Sequence, residues 1–426
     1  MRSFQHLFFK KMLPQKESPI IRAIKAVGIG KKGSKTLEPL LIEELISDFK
    51  NNLVTEAAKG AFFGALVMKG LSKGLTEDEK NLEKILKESN VCGDAPYPIQ
   101  EICDRLLRGE TLDKNTAKKL GDFLFSNQPG DAARGLAASI LRVRYETPEE
   151  YAGLLLSLQE TFEAPFRESV PEGEPIIQIA EPFDGVDQSN MITPLVGEYL
   201  QKLNYRVVHL VGRNSGPKMV YNLLDVAKQL DGCFLKRNQQ LSDPKPPFGW
   251  FLNQQDLSKP MDRWVDIRRQ IIKRPFLATL ERFVNPLKAD IIIASAFHPP
   301  YGEKMLNLCE RAGFPAAIIV RNGMEGTIAF PLKRAVKILC SARKSDTTYA
   351  RHEIEFNAEN FLGKTVEIEE RPLTQPSPEH NAELIQTYQR NGSTGNRHFD
   401  LRVKATCEGL KKAIECLCLD GSIYSS

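Results

Sequence analysis

Apolar positions recur at helical spacing up to about residue 165, and then give way to short β-rich runs separated by helical patterns. In the first regime small residues at Ala57, Gly60, Ala61, Gly64 and Ala65 share a helical face, which permits close helix packing. Thr76-Glu77-Asp78-Glu79 and Thr147-Pro148-Glu149-Glu150 mark helix starts. A threonine there caps the first free N–H groups, and carboxylates suit the positive end of the helix dipole.

This helical regime contains itself twice. Thr36-Leu37 recurs as Thr111-Leu112, and at that displacement of 75 positions Ala57-Ala58-Lys59-Gly60 maps onto Ala132-Ala133-Arg134-Gly135. Leu45 maps onto Leu120, Leu66 onto Leu141 and Lys69 onto Arg144. Two copies are too few for a solenoid. The pattern predicts a flexible tail over 1–20 and a duplicated helical domain with halves at 21–90 and 91–170.

Pro171-Glu172-Gly173-Glu174-Pro175 reads as a linker. Beyond it the pattern predicts strands at 176–180, 206–211, 291–294, 316–320 and 336–340, with helices at 193–203 and 221–230. A basic helical stretch spans 261–283, interrupted at Pro275, and a C-terminal helical region with a turn-rich loop at 391–396 follows 375–379. The rhythm predicts an α/β protein with a small, duplicated, all-helical N-terminal domain. Its large α/β domain, over 171–426, holds a mainly parallel sheet flanked by helices, with parts of 251–285 packing on the helical domain.

Composition narrows the function classes. The net charge of +4, from 58 basic and 54 acidic residues, is too small an excess to imply nucleic-acid binding by itself, although a local basic face is compatible with it. Eight cysteines without a CxxC pair and six dispersed histidines give no zinc spacing, and the thiols read as free in a reducing compartment. No run of 18 apolar residues exists, and the segment from Met1 to Lys11 lacks a signal's apolar stretch. A cytoplasmic protein without a membrane partner is expected.

The candidate chemistry begins at the first strand–loop–helix unit. Its loop runs Ala180-Glu181-Pro182-Phe183-Asp184-Gly185-Val186-Asp187-Gln188-Ser189-Asn190, followed by Met191-Ile192-Thr193. It resembles the phosphoribosyl-pyrophosphate loop of anthranilate phosphoribosyltransferases, GTGGDGxxTxN followed by ST. Asp184, Gly185, Asn190 and Thr193 match, while Ala180, Pro182 and Phe183 replace glycines and Ile192 replaces the first hydroxyl. Glycines let the backbone approach a pyrophosphate closely, so the cradle is not expected to survive unchanged.

Three further elements follow in family order. The segment from Val207 to Lys218 resembles KVAKHGNRxxSSK, with Arg213 and Lys218 kept and Gly216-Pro217 in place of two serines. The run from Ile267 to Pro286 aligns without gaps to VRRxLGIRTxFNLL…NP. It keeps Arg268, which in the family grips the acceptor's carboxylate, together with Arg274 and Asn285-Pro286. Phe297-His298-Pro299-Pro300-Tyr301 and Gly323-Met324-Glu325-Gly326 are similar to HPxY…HGxxGLDE. Ile328 and Ala329 stand where the magnesium-binding Asp-Glu pair belongs, leaving Glu325 as a single carboxylate.

The resemblance implies a divergent branch in which Asp184, Gly185, Asn190, Thr193, Arg213, Lys218, Arg268 and Arg274 hold phosphate-rich ligands without the family's catalysis. It implies no cofactor, with magnesium only if the protein is active, and a homodimer formed through the helical domain. Some members of that branch look like nucleic-acid binders. A basic surface is expected from Lys31, Lys32, Lys35, Arg269, Lys273, Lys333, Arg334, Arg343 and Lys344. The expected partner is thus nucleic acid or a phosphorylated small molecule. The alternative is pentosyl or phosphoribosyl transfer from a phosphoribosyl donor to an unknown acceptor.

Overall fold

The computed structural model describes residues 17–30, 33–216, 218, 220–296, 301–345, 348–363 and 372–419. Its first part is helical: α1 (Pro19–Val27), α2 (Pro39–Lys50), α3 (Glu56–Lys73), α4 (Glu77–Glu88), α5 (Tyr97–Leu107), α6 (Lys114–Leu124), α7 (Asp131–Arg144) and α8 (Pro148–Gln159). The two sequence copies build the same device twice. Thr76 and Thr147 both start capping boxes, in which Glu79 and Glu150 accept from the threonine's own N–H at 3.0 and 2.8 Å. The other oxygen of each carboxylate accepts from Leu37 N–H or Leu112 N–H, both at 2.9 Å. Each carboxylate is also ion-paired in the interior, Glu79 with Lys69 and Glu150 with Arg144.

The copies meet where α3 crosses α7. A Cβ on Gly60 would lie 1.9 Å from the Ala132 carbonyl oxygen, and one on Gly135 would lie 1.9 Å from that of Ala57. The contact is reciprocal, because Ala57 and Ala132 are themselves duplicate positions. It is the relation found across a twofold axis, here inside one chain.

One seven-stranded sheet follows: β1 (Ile176–Ala180), β2 (Arg206–Val211), β3 (Trp250–Asn253), β4 (Ile291–Ala296), β5 (Ala316–Arg321), β6 (Val336–Arg343) and β7 (Tyr349–Phe356). The order is β3-β2-β1-β4-β5-β6-β7, with β3 through β5 parallel and the last two strands antiparallel. The connecting and C-terminal helices are α9 (Thr193–Lys202), α10 (Leu223–Gln229), α11 (Gln254–Leu257), α12 (Lys259–Ile271), α13 (Leu277–Leu280), α14 (Tyr301–Arg311), α15 (Ala358–Leu362), α16 (Pro378–Asn391) and α17 (Arg397–Leu419).

Period-two alternation divides the interior. Val208, Leu210, Ile292 and Ala294 face a core shared with α1 to α8, α12 and α14, whereas Val207, Val211, Ile291 and Ile293 face one shared with α9, α10, α16 and α17. Trp264 ties α12 to the helical layer, donating its indole N–H to the Leu124 carbonyl at 3.0 Å. Two strands escape the sequence pattern, the short β3 and the polar edge strand β7. The basic helix also ends earlier than expected: Ile272 turns left-handed at φ 66°, and a short turn leads to α13. No described helix is long and apolar enough to cross a membrane.

Candidate functional site

β1 lies between β2 and β4, so the chain builds outward from it in both directions. Loops leaving the carboxyl ends of β1, β2 and β5 therefore gather at one end of the sheet, where open α/β sheets place ligands. The loop after β1 is tightly held. Gly185 has φ +80°, and a Cβ there would meet the Tyr221 carbonyl oxygen at 2.0 Å. Asn222 donates to the Phe183 and Gly212 carbonyls at 3.0 and 2.9 Å, joining the loops after β1 and β2. Asn381, reaching in from α16, accepts from Met191 N–H at 2.7 Å and donates to the Met191 carbonyl at 2.8 Å.

A cleft of about 880 Å³ opens between these loops and the helical layer. Among the described residues, seven cationic and four carboxylate side chains line it, together with Tyr145, Tyr151 and Tyr301. Lys304 is neutralised by Glu146 at 2.9 Å and sits 4.6 Å from the Tyr151 ring centroid. Arg142 and Lys273 differ, because among the described residues neither has a carboxylate within ion-pair distance. The Arg142 guanidinium donates to the Gly28 carbonyl at the end of α1, and the Lys273 stem packs beside Gly28. Burial lowers the pKa of both groups, and Arg142 and Lys25 push Lys273 further down. Among the described residues, positive charge is concentrated here beyond what the lining carboxylates balance.

Of the residues expected to hold ligand, Asp184, Lys218 and Arg274 line this cleft, and Gly185, Asn190, Thr193, Arg213 and Arg268 do not. Arg268 is buried and spent internally, donating to Asp184 at 2.7 Å and to Glu281 at 3.2 Å. Arg274 pairs with the second Asp184 oxygen. Burial pushes the Glu281 carboxyl up to about 7, against the pull of Arg268. Arg213 is bound to the α12 carboxylates Asp262 and Asp266, at 3.0 and 3.1 Å. Thr193 donates to Glu181 at 2.7 Å, and the other Glu181 oxygen accepts from Ile328 N–H at 2.8 Å.

Lys218 ion-pairs with Glu325, whose carboxylate also accepts from Asp187 N–H at 3.1 Å, Gln188 N–H at 3.0 Å and Ser189 Oγ at 2.7 Å. Burial alone would raise the Glu325 pKa, but a hydrogen bond with the Asp187 carboxyl, together with those from Lys218, Ser189 and the Asp187 N–H, outweighs it and holds it down at about 2, while the Asp187 carboxyl is pushed up by the same contact. A magnesium ion does not fit in the family's manner. Ile328 and Ala329 are buried apolar residues, the Glu181 carboxylate is filled with protein donors, Glu325 and Asp187 share Lys218, and among the described residues no group of three or more His, Cys, Asp or Glu side chains could hold a metal ion.

The expected basic surface is divided. Lys31 and Lys32 lie outside the described residues, as do Pro217 and 297–300. Lys273 lines the cleft, Lys35 is exposed beyond α1, and Arg269 donates to the Asn214 carbonyl at 2.8 Å. Because β6 runs antiparallel to β5, Lys333 and Arg334 precede it at the cleft end of the sheet, while Arg343 and Lys344 leave it at the opposite end. Arg142, Lys304, Arg282, Glu281 and Glu181 are not singled out by the sequence. Arg142 and Lys304 lie outside the matched motifs, whereas Glu181, Glu281 and Arg282 lie inside them at positions the resemblance does not name, and only their convergence in space distinguishes them.

No family model matches the chain. A curated protein of Aquifex aeolicus (strain VF5), named only as uncharacterized, is 24% identical over 219 residues, 51% of this chain and 65% of its own length. The chain thus spans less than two thirds of that relative. Among solved structures, anthranilate phosphoribosyltransferase from Thermus thermophilus superposes with a TM-score of 0.55 at 18% identity, covering 74% of this chain and 94% of that one. The Saccharomyces cerevisiae enzyme in complex with PRPP and Mg gives 0.53 at 10% identity, covering 75% and 96%. The chain has the anthranilate phosphoribosyltransferase fold.

Proposed function

We propose that this protein binds a phosphorylated small molecule, of the phosphoribosyl class, in the cleft between the helical layer and the sheet, without magnesium-dependent phosphoribosyl transfer. The observation that carries the reading is the pair Arg142 and Lys273, half-buried at the cleft wall without carboxylate partners among the described residues. Half-buried cations that the protein does not pair are stabilised by an anionic ligand, and a guanidinium offers phosphate a two-pronged donor. Tyr145, Tyr151 and Tyr301 supply flat, partly polar walls for a ring.

The divergence of the loops supports binding over transfer. Transfer in this fold depends on positioning and charge stabilisation around a pyrophosphate leaving group. Here Arg268 is bound to the protein's own carboxylates, and the magnesium pair is replaced by Ile328 and Ala329. Thermal unfolding of the full chain with ribose 5-phosphate, phosphoribosyl pyrophosphate, inorganic phosphate and a short single-stranded DNA tests the reading. A rise in Tm with the phosphoribosyl compounds, in EDTA, is expected. A rise with DNA alone would move the function to the basic surface, and turnover of the pyrophosphate with magnesium would restore the transferase reading.

A further inference from the structure

A second cavity lies on the other face of the sheet, between α9 and α17. It measures about 520 Å³ and shares no lining residue with the cleft. Side chains four apart share a helix face, so Leu195 and Tyr199 of α9 line it opposite Val403 and Cys407 of α17, and Leu362 completes an apolar body. Phe361 stands at the same cavity 41% exposed, an apolar ring that the fold itself leaves uncovered. Tyr199 and Tyr388 bring hydroxyls without a hydrogen-bond partner among the described residues. Burial raises the pKa of Tyr199, with Cys407 and Glu408 adding to it, and carries those of Tyr388 and Cys407 up to about 12. All three groups stay protonated at neutral pH, and a thiol without its thiolate is no nucleophile, so the cavity is suited to binding. Charge at its rim is arranged in two ways. Glu198 and Lys202 of α9 close on each other at 2.9 Å. Lys404 and Glu408 of α17 are also four apart, but neither makes an ion pair among the described residues. A lysine preceding a glutamate is the weaker order for such a pair, and two opposite charges are left one turn apart.

We propose that this cavity is a second binding site, for a free amino acid with a large apolar side chain. Its ammonium pairs with Glu408, its carboxylate with Lys404, and its side chain packs against Leu195, Leu362 and Val403. Cβ atoms four residues apart on a helix lie about 5–6 Å from each other, a span that two flexible side chains close onto groups carried by one carbon. A cavity of this size is in the range of small-ligand sites, where a few polar groups on an apolar wall fix orientation. The walls are also the helices that hold the loop after β1: α9 begins at Thr193, and α16 carries Asn381 about two turns before Tyr388. The site stands independently of what the cleft binds.

The test is calorimetric titration of the full chain with L-leucine and L-phenylalanine. The tighter of the two is then compared with the amine and the acid that each keep one of its charges. Saturable binding is expected, weaker by about tenfold or more for each singly charged analogue. Glu408→Gln is expected to erase the advantage over the acid, and Lys404→Met the advantage over the amine, with circular dichroism confirming the fold of each. The analogue series on wild type needs no variant, so a folding defect leaves the test intact. No saturation by about 10 mM overturns the proposal, as does equal affinity for the amino acid and either analogue. Binding that is lost in Arg142→Ala and kept in Glu408→Gln would place the ligand in the cleft and overturn it as well.

Discussion

The Arg268 guanidinium donates to the Asp184 carboxylate at 2.7 Å, and both side chains are buried. The residue that the resemblance assigns to an acceptor's carboxylate is therefore committed to a carboxylate of its own chain. Removing one partner of a buried pair leaves the other charge desolvated, at a cost of about 3–5 kcal/mol. Arg268→Ala is expected to lower unfolding stability in urea on that scale. Near-native stability would mean that Arg268 is free to grip a ligand.

The crossing of α3 and α7 is expected to be intolerant of any side chain. Gly60→Ala and Gly135→Ala each place a Cβ 1.9 Å from a carbonyl oxygen of the other helix. Backbone must move in both cases, and overpacking of this kind costs roughly 1–3 kcal/mol or more. Thermal unfolding should show similar losses for the two variants, as the reciprocal contact requires. Loss in only one would mean that the crossing is not symmetric.

His209 gives the protein an acid-sensitive core. The ring is buried, stacks 4.9 Å from Phe251, and contacts the Phe248 carbonyl through Nε2 at 2.8 Å. Burial lowers its pKa from 6.5 to about 4. The unfolded chain therefore takes up a proton near the ordinary histidine value, while the folded chain resists until about 4. Stability from this group is present above pH 6.5 and is lost as pH falls towards 4, by on the order of 3 kcal/mol. Chemical unfolding across that window should show a steeper decline in wild type than in His209→Gln.

Charge at the far end of the sheet should not matter to the cleft. Arg343 donates to the Gly313 carbonyl at 3.0 Å and to Tyr349 Oη at 3.1 Å, where β6 leaves the sheet opposite the site. Arg343→Ala and Lys344→Ala are expected to leave phosphoribosyl binding within about twofold of wild type, as for surface charges remote from a ligand. A larger loss, measured by titration at about 0.15 M salt, would require a binding surface that wraps around the sheet.

Much of this architecture is legible in the chain. The copies at 36–79 and 111–150 are visible because Thr76, Glu79, Thr147 and Glu150 carry local capping chemistry, and because Gly60 and Gly135 serve a close backbone approach. The parallel strands are legible as short apolar runs, since both their faces are buried. β7 is not, because its exposed Arg351, His352 and Glu353 break the alternation. Cross-strand and strand–helix pairs such as Lys337–Glu353 and Arg351–Glu310 support it instead. At the site the motifs locate the loops but not the use of their charges. Arg213 and Asp262 lie far apart in sequence, as do Lys218 and Glu325, and only the folded chain pairs them. Arg142 belongs to a helix whose other basic residue near that end, Arg144, is structural, so nothing local marks it as part of the cleft.

The central claim is that Arg142 and Lys273, without a carboxylate partner among the described residues, make the cleft an anion site. Calorimetric titration of phosphoribosyl pyrophosphate into wild type, Arg142→Ala and Lys273→Ala, in EDTA and at two salt concentrations, tests it most directly. Saturable binding is predicted, weakening with salt and falling by about tenfold or more in each variant, the loss expected for one charge-assisted contact. Equal affinity in all three proteins would contradict it.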